Sequence, residues 1–215
     1  MKQTGFTTKD KILEVALDLF SIYGYETVSI RDIGGVVGIK ESSIYAHFKN
    51  KEDILQTLLQ RAEEQAQVKK ESFNQALALV TNISSEGFVT AGLAYVEGYL
   101  TAENIYKFIQ ILTLEKQHNT HAAELYHKIL FTEPLEHHKT VFSFLIENGF
   151  IHADEPALLA SEYQALILYI FHKYFPTTAV LKSDAKVMAR EELSLLLKRF
   201  YQKYFIKGPA QDESV

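Results

Sequence analysis

The sequence predicts an all-α protein, on three observations. Apolar residues recur at helical spacing along most of the chain, and no Val/Ile/Thr-rich run alternates with period two. The 215 residues also include only four prolines and ten glycines to interrupt helices. Hydrophobic residues make up 47% and charged residues 23%, a balance that supports a packed core and argues against disorder. Cysteine is absent, which excludes disulfides and thiolate-ligated zinc or iron–sulfur centres. The N-terminus lacks the apolar core of a signal peptide, and no stretch of about 18 apolar residues suggests a membrane span, so a cytoplasmic protein is expected.

Residues 8 to 23 place Ile12, Val15, Ala16, Leu19, Phe20 and Tyr23 on one stripe, and Gly24 supplies a C-terminal stop. Ser29 with Asp32 has the reciprocal capping spacing and opens a second, short helix whose buried side is Ile30, Ile33 and Val37. Gly38-Ile39-Lys40 leaves room only for a tight turn, after which a third helix is expected over Ser43 to Phe48 with Ile44 and Phe48 inward. Two short helices across a tight turn read as a helix-turn-helix, the end of a three-helix N-terminal domain over residues 1–50. Asn50 and Asp53 repeat the capping pattern, and a long helix runs from Lys51 to about residue 80.

A larger helical bundle is expected over 51–207, with helices at roughly 88–101, 103–117, 121–148, 155–175 and 184–206. In the helix at 155–175, Leu159, Tyr163, Leu166, Ile170 and Tyr174 form one stripe while Leu158, Leu168 and Phe171 form another. A helix apolar on two sides needs burial on two sides, which the chain's own helices or a second copy can supply. The polar tail 208–215 reads as disordered. The formal net charge of -5 argues, taken alone, against a polyanionic partner, and residues 1–53 hold seven Lys/Arg against eight Asp/Glu. Any contact with DNA must therefore come from a local patch.

The run from Thr27 to Leu55, TVSIRDIGGVVGIKESSIYAHFKNKEDIL, resembles the DNA-binding signature of TetR-family transcriptional regulators without a gap. It carries the Ser29-Ile30-Arg31-Asp32-Ile33 helix start, the Gly38 turn, the Ile44-Tyr45 pair with His47 and Phe48, and the Lys49-Asn50-Lys51-Glu52 junction. The resemblance implies Tyr45, His47 and Lys51 as phosphate contacts, Lys51 at a helix N-terminus that already favours an anion. Base reading then falls to Glu41, Ser42 and Ser43, with Arg31 reaching from the preceding helix to the paired acceptors of a guanine. Glu41 departs from the basic or neutral residue usual at its place. Gly34 departs from the usual alanine, and Gly34 and Gly35 each cost about 0.5–1 kcal/mol within a helix.

The family further implies an operator in double-stranded DNA, a small-molecule effector that releases a repressor, and a homodimer through helices 155–175 and 184–206. Tyr95, Tyr99, Phe108, Leu112, Tyr126 and Phe142 are the candidate effector-lining residues, although aromatic and aliphatic groups at this spacing are more ordinarily core. His118, His121, His127, His137 and His138 read as solvated or core residues, so no metal and no cofactor is expected. Neither a metalloprotease, a nucleophile-elbow nor a P-loop motif is present, and no enzymatic activity is expected. Two alternatives stand beside the effector-released repressor: an effector-independent DNA binder of the same fold, and a helical adaptor without DNA binding.

Overall fold

The structure, a computed structural model, describes residues 7–152, 155–176 and 184–206; the tail 208–215 lies outside the described residues. Among the described residues, ten α-helices follow one another: α1 (Thr8–Tyr23), α2 (Ile30–Val37), α3 (Glu41–Tyr45), α4 (Lys51–Ala78), α5 (Ser85–Tyr95), α6 (Glu103–Glu115), α7 (Thr120–His127), α8 (Glu133–Glu147), α9 (Pro156–Tyr174) and α10 (Ala185–Tyr204). Two π-helical turns, Val96–Leu100 after α5 and Lys128–Thr132 between α7 and α8, interrupt the regular winding. Among the described residues there is no strand, only an isolated antiparallel bridge between Ile151 and Phe205.

The chain packs as two compact units. Of the described residues, the first comprises 7–79 with 101–126, and the second those of 80–100 and from 127 onward. In the first, α1 packs on α2, α4 and α6. Ile12, Ala16 and Phe20 of α1 are fully buried, as are Ile33 of α2, Ile44 of α3 and Ile54 of α4. In the second, α8 lies on α9, and α10 packs on both α5 and α9. Gly92 lets that last contact close, since a Cβ there would stand 2.5 Å from Leu197 Cδ1 and 2.9 Å from the Tyr163 hydroxyl.

Helix starts follow the local chemistry. Thr7 with Asp10 and Ser29 with Asp32 form complete capping boxes at α1 and α2, and the Asn50 side chain accepts from the Asp53 N–H at α4. Gly38, at φ 83°, adopts the left-handed conformation that ends α2 and turns the chain towards α3. The third helix differs from the expectation: it starts at Glu41 and ends at Tyr45, with Phe48 beyond it. Lys40 is extended and its carbonyl receives the Ser43 N–H, so the first turn forms two residues early.

The stretch expected as one helix over 121–148 is broken in the middle for an identifiable reason. Pro134 has no N–H to give the Leu130 carbonyl four residues back, and Glu133 N–H bonds to Lys128 O in the wider π pattern. The released Leu130 carbonyl is taken by Gln164 Nε2 of α9 at 2.7 Å. The turn at Val96–Leu100 extends α5 without a proline; Gly98 lies inside it.

The paired glycines of α2 have different surroundings. A Cβ on Gly34 would stand 3.0 Å from the Ile39 carbonyl and 3.5 Å from Ile44 Cδ1, so the glycine lets α2 close onto the turn and α3, whereas a Cβ on Gly35 would meet nothing within 4 Å. Gly35→Ala is accordingly expected to stabilise the protein by about 0.5–1 kcal/mol, read as a higher denaturant midpoint at unchanged slope. Gly34→Ala is expected to give no such gain, because the Ile39 carbonyl must move to admit it.

Candidate functional site

The exposed side of the helix-turn-helix is built by alternation around a fixed core. Ile44 and Phe48 are 0% and 2% exposed, and Ile44 anchors α3 against α2, which leaves Tyr45, at 53%, and His47 facing outward. Glu41 and Ser42 are also exposed, Ser43 is half-buried, and Arg31 on the first turn of α2 is exposed. Six of the seven expected DNA contacts thus lie on α2, on α3 or directly after it. Lys49 and Lys40 are exposed alongside them, and Lys9 sits over the Phe48 ring at 5.3 Å. Together they give this side basic groups that Glu41 opposes.

The seventh, Lys51, has a further commitment. Its ammonium donates to the carbonyls of Tyr25 at 2.7 Å and Glu26 at 3.4 Å and lies 4.2 Å from the Tyr25 ring centre. Lys51 therefore fastens the loop between α1 and α2 to the start of α4. Nothing in the sequence marks this, because the acceptors are backbone carbonyls far along the chain. Lys11 does the same at the other end of α2, donating to Val37 O at 3.1 Å.

Most of the acidic groups of the first 53 residues are likewise engaged. Asp10 and Asp32 cap helix N-termini, where the helix dipole offsets negative charge. The Thr7 hydroxyl, and after it Arg61, hold the Asp10 carboxyl down to about 2, and hydrogen bonding from Ser29 lowers that of Asp32. Asp18 pairs with Lys107, Asp53 accepts from the Lys49 N–H, and Glu52 accepts from the Tyr25 hydroxyl. An acidic count over these residues thus overstates the charge that opposes a polyanion.

The expected effector-lining residues divide between the units. Phe108 and Leu112 are buried on α6 in the first, where Tyr126 carries the Lys116 ammonium over its ring at 3.8 Å. Tyr95, Tyr99 and Phe142 belong to the second. There the Tyr95 and Tyr99 rings stack at 5.4 Å, and Phe142 meets Tyr163 edge-on at 5.7 Å. His138, which the sequence alone reads only as a solvated or core histidine, lies between Tyr95 at 5.0 Å and Tyr163 at 4.8 Å. The spacing of α8 could have placed it one turn before Phe142, but not its neighbours on other helices.

Comparison with known proteins bears on both ends of the chain. The model of the bacterial regulatory proteins, tetR family, matches residues 12–58. The Staphylococcus epidermidis negative transcriptional regulator of the biofilm operon icaADBC, IcaR, is 48% identical over 46 residues, 21% of this chain and 25% of that protein. The transcriptional regulator AcrR of Shigella flexneri is 37% identical over 62 residues, 29% of each chain. The match therefore spans less than a third of the length of these relatives. Over nearly the whole chain, the fold is that of a TetR-family regulator of Mesorhizobium loti, with TM-score 0.67 at 17% identity, covering 95% of this chain and 100% of that one. A transcriptional regulator of Saccharomonospora viridis determined in complex with choline gives TM-score 0.66 at 19% identity, covering 93% and 98%.

Burial gives His138 a pH signature. Desolvation, helped by neighbouring His137, pushes its imidazole down to about 3 from an ordinary 6.5. The folded state then binds fewer protons than the unfolded chain between these values, so His138's contribution is complete above about pH 6.5 and falls away as pH drops towards 3. Thermal unfolding from about pH 7 to about pH 5 should show a clear loss of stability that His138→Leu makes shallower; an unchanged slope would place the titration elsewhere.

Proposed function

We propose that the chain is a member of the TetR family of bacterial regulatory proteins and a homodimeric DNA-binding transcriptional repressor released by a small-molecule effector. The observation that carries this reading is the exposed set of Arg31, Ser42, Tyr45 and His47 on a helix-turn-helix whose turn is closed by Gly34 and Gly38. The first turn of α3 enters the major groove, where Glu41, Ser42 and Ser43 meet base edges. Arg31 adds a bidentate contact to guanine, while Tyr45 and His47 donate to phosphates and fix register. Lys51 supports phosphate binding from the N-terminus of α4 while tying down the loop behind it. Residues 1–50 read DNA in this scheme; residues 51–207 sense the effector and dimerise.

Two copies are needed because one head offers a single short recognition helix. Paired heads enter successive major grooves about 34–36 Å apart. Helices α9 and α10 carry the surface for this pairing. Leu159, Tyr163, Leu168, Ile170 and Phe171 are buried within the chain itself, so its own helices cover much of both stripes of α9. Leu158, Tyr169, Val187, Met188 and Leu195 remain exposed, Leu195 at 63%. Glu192 of α10 receives hydrogen bonds from Tyr169, Lys173 and Tyr174 of α9, holding the pair as one surface. An effector that prefers the DNA-incompetent arrangement by about 1–3 kcal/mol suffices as a switch.

Binding to the promoter region of the protein's own gene across a salt series tests the DNA reading. Tyr45→Phe should weaken binding to all sequences alike. Arg31→Ala should cost about 1–3 kcal/mol and relax discrimination at one base position. Specific binding insensitive to both changes would move the interface off α2 and α3, and the absence of specific binding in a genome-wide fragment selection would favour the adaptor reading. For the dimer, Leu195→Asp should shift sedimentation at micromolar concentration to the monomer and abolish specific DNA binding; a persisting dimer would place the interface outside α10.

A further inference from the structure

In the second unit, Tyr95 Oη, His138 Nδ1 and Gln164 Oε1 are buried without a hydrogen-bond partner among the described residues. Such atoms are uncommon, because leaving one bare in a protein interior costs about 1–3 kcal/mol. His138 packs against both Tyr95 and Tyr163. Tyr99, stacked on Tyr95, donates to the Ile129 carbonyl at 3.4 Å, one residue before the Leu130 carbonyl that Gln164 takes from α9, so the three residues lie around one turn of chain. The amide of Gln164 is oriented by its bond to Leu130 O, the carbonyl freed by Pro134, so its oxygen is necessarily the group left over. His138 and Gln164 are 5% and 2% exposed. The Tyr95 hydroxyl is buried although the residue as a whole is only half-buried, as is Tyr99 stacked on it.

We infer that Tyr95, His138 and Gln164 form the polar end of a binding site for a small uncharged molecule, bounded by the rings of Tyr99, Phe142 and Tyr163. The inference rests on the effector reading above and specifies the chemistry of the effector. The Tyr95 hydroxyl donates, Gln164 Oε1 accepts, and the neutral imidazole of His138 does either according to its tautomer. The complementary molecule carries a donor and an acceptor side by side, as a primary amide does, on a flat or compact apolar body. Charge is unwelcome for a physical reason. Glu133, the carboxylate whose charge bears on Tyr95 and Tyr99, is already matched by Lys128 at 3.4 Å, and both are substantially exposed. A charged ligand would lose its hydration without gaining a counter-ion.

The test uses the full chain and three classes of probe of similar size: benzamide, cyclohexanecarboxamide and benzyl alcohol; benzoate; and benzamidinium with choline. Binding is read by thermal shift and by the ring-nitrogen NMR resonances of His138. Uncharged probes are expected to raise the melting temperature and move the His138 signals, with the charged probes silent. Tyr95→Phe removes one unpartnered atom at constant shape, so its unliganded melting temperature should equal or exceed that of the parent, while affinity for the uncharged probes falls about tenfold. Silence from every uncharged probe, equal response to the charged ones, or undiminished binding by Tyr95→Phe would each overturn the site. DNA affinity is measured separately. Probe binding at Tyr95 without change in DNA affinity would retain this site and remove the effector reading; release from DNA by a charged compound, insensitive to Tyr95→Phe, would do the reverse.

Discussion

The backbone of Tyr25 is where the first unit is tied together. Its N–H donates to Glu115 of α6 at 2.8 Å, its carbonyl receives the Lys51 ammonium at the start of α4, and its hydroxyl donates to Glu52. The ring packs edge-on against Phe20 of α1 at 5.2 Å. Three helices far apart in sequence thus converge on one loop residue, and the placement of α2 and α3 follows from it. Gly24 is part of the same device: at φ 83° it turns the chain out of α1, and a Cβ there would stand 3.1 Å from the Glu115 carboxylate. A residue that makes both the turn and the close approach has to be glycine.

From this anchor the recognition surface is a matter of alternation. Once Ile44 and Phe48 are buried, the residues between them have no choice but to face solvent, and the short helix needs little propensity of its own. Five residues would not hold a helix in isolation. What holds α3 is the contact of Ile44 with the groove beside Gly34, so the reading surface is rigid because its underside is packed. The same logic explains the charge count. The carboxylates of Asp10 and Asp32 cap helix starts, and that of Asp53 accepts from the Lys49 N–H just before α4, so these three do not form an acidic field.

Much of the first unit is legible in the sequence because its determinants are local. A capping pair three residues apart, a glycine after an apolar stripe and an alternation of two residues all act within a single turn of chain. The starts of α1, α2 and α4 and the inward register of α3 follow from these. The early start of α3 comes from a backbone bond at Lys40 that no side chain announces. The anchoring role of Lys51 leaves no mark in the sequence, because its acceptors are carbonyls about two dozen positions earlier. The break before α8 did have a signal in Pro134, whose missing N–H predicts a fault in any helix running through it. The turn at Val96–Leu100 had no comparable mark. The partition of Tyr95 and Phe108 into different units is a property of packing alone.

Pro134 has a consequence beyond its own helix. By withholding one N–H it leaves a bare carbonyl at a fixed address in the second unit, and whatever faces that address must be a donor. Gln164 fills the requirement with its amide nitrogen, and in doing so turns its oxygen the other way. An imino acid on one helix thereby dictates both the residue type and the orientation of a side chain on another. Substitutions at the two positions should not be independent: a leucine at 164 costs more beside Pro134, which leaves the Leu130 carbonyl bare, than beside a residue whose own N–H can take that carbonyl.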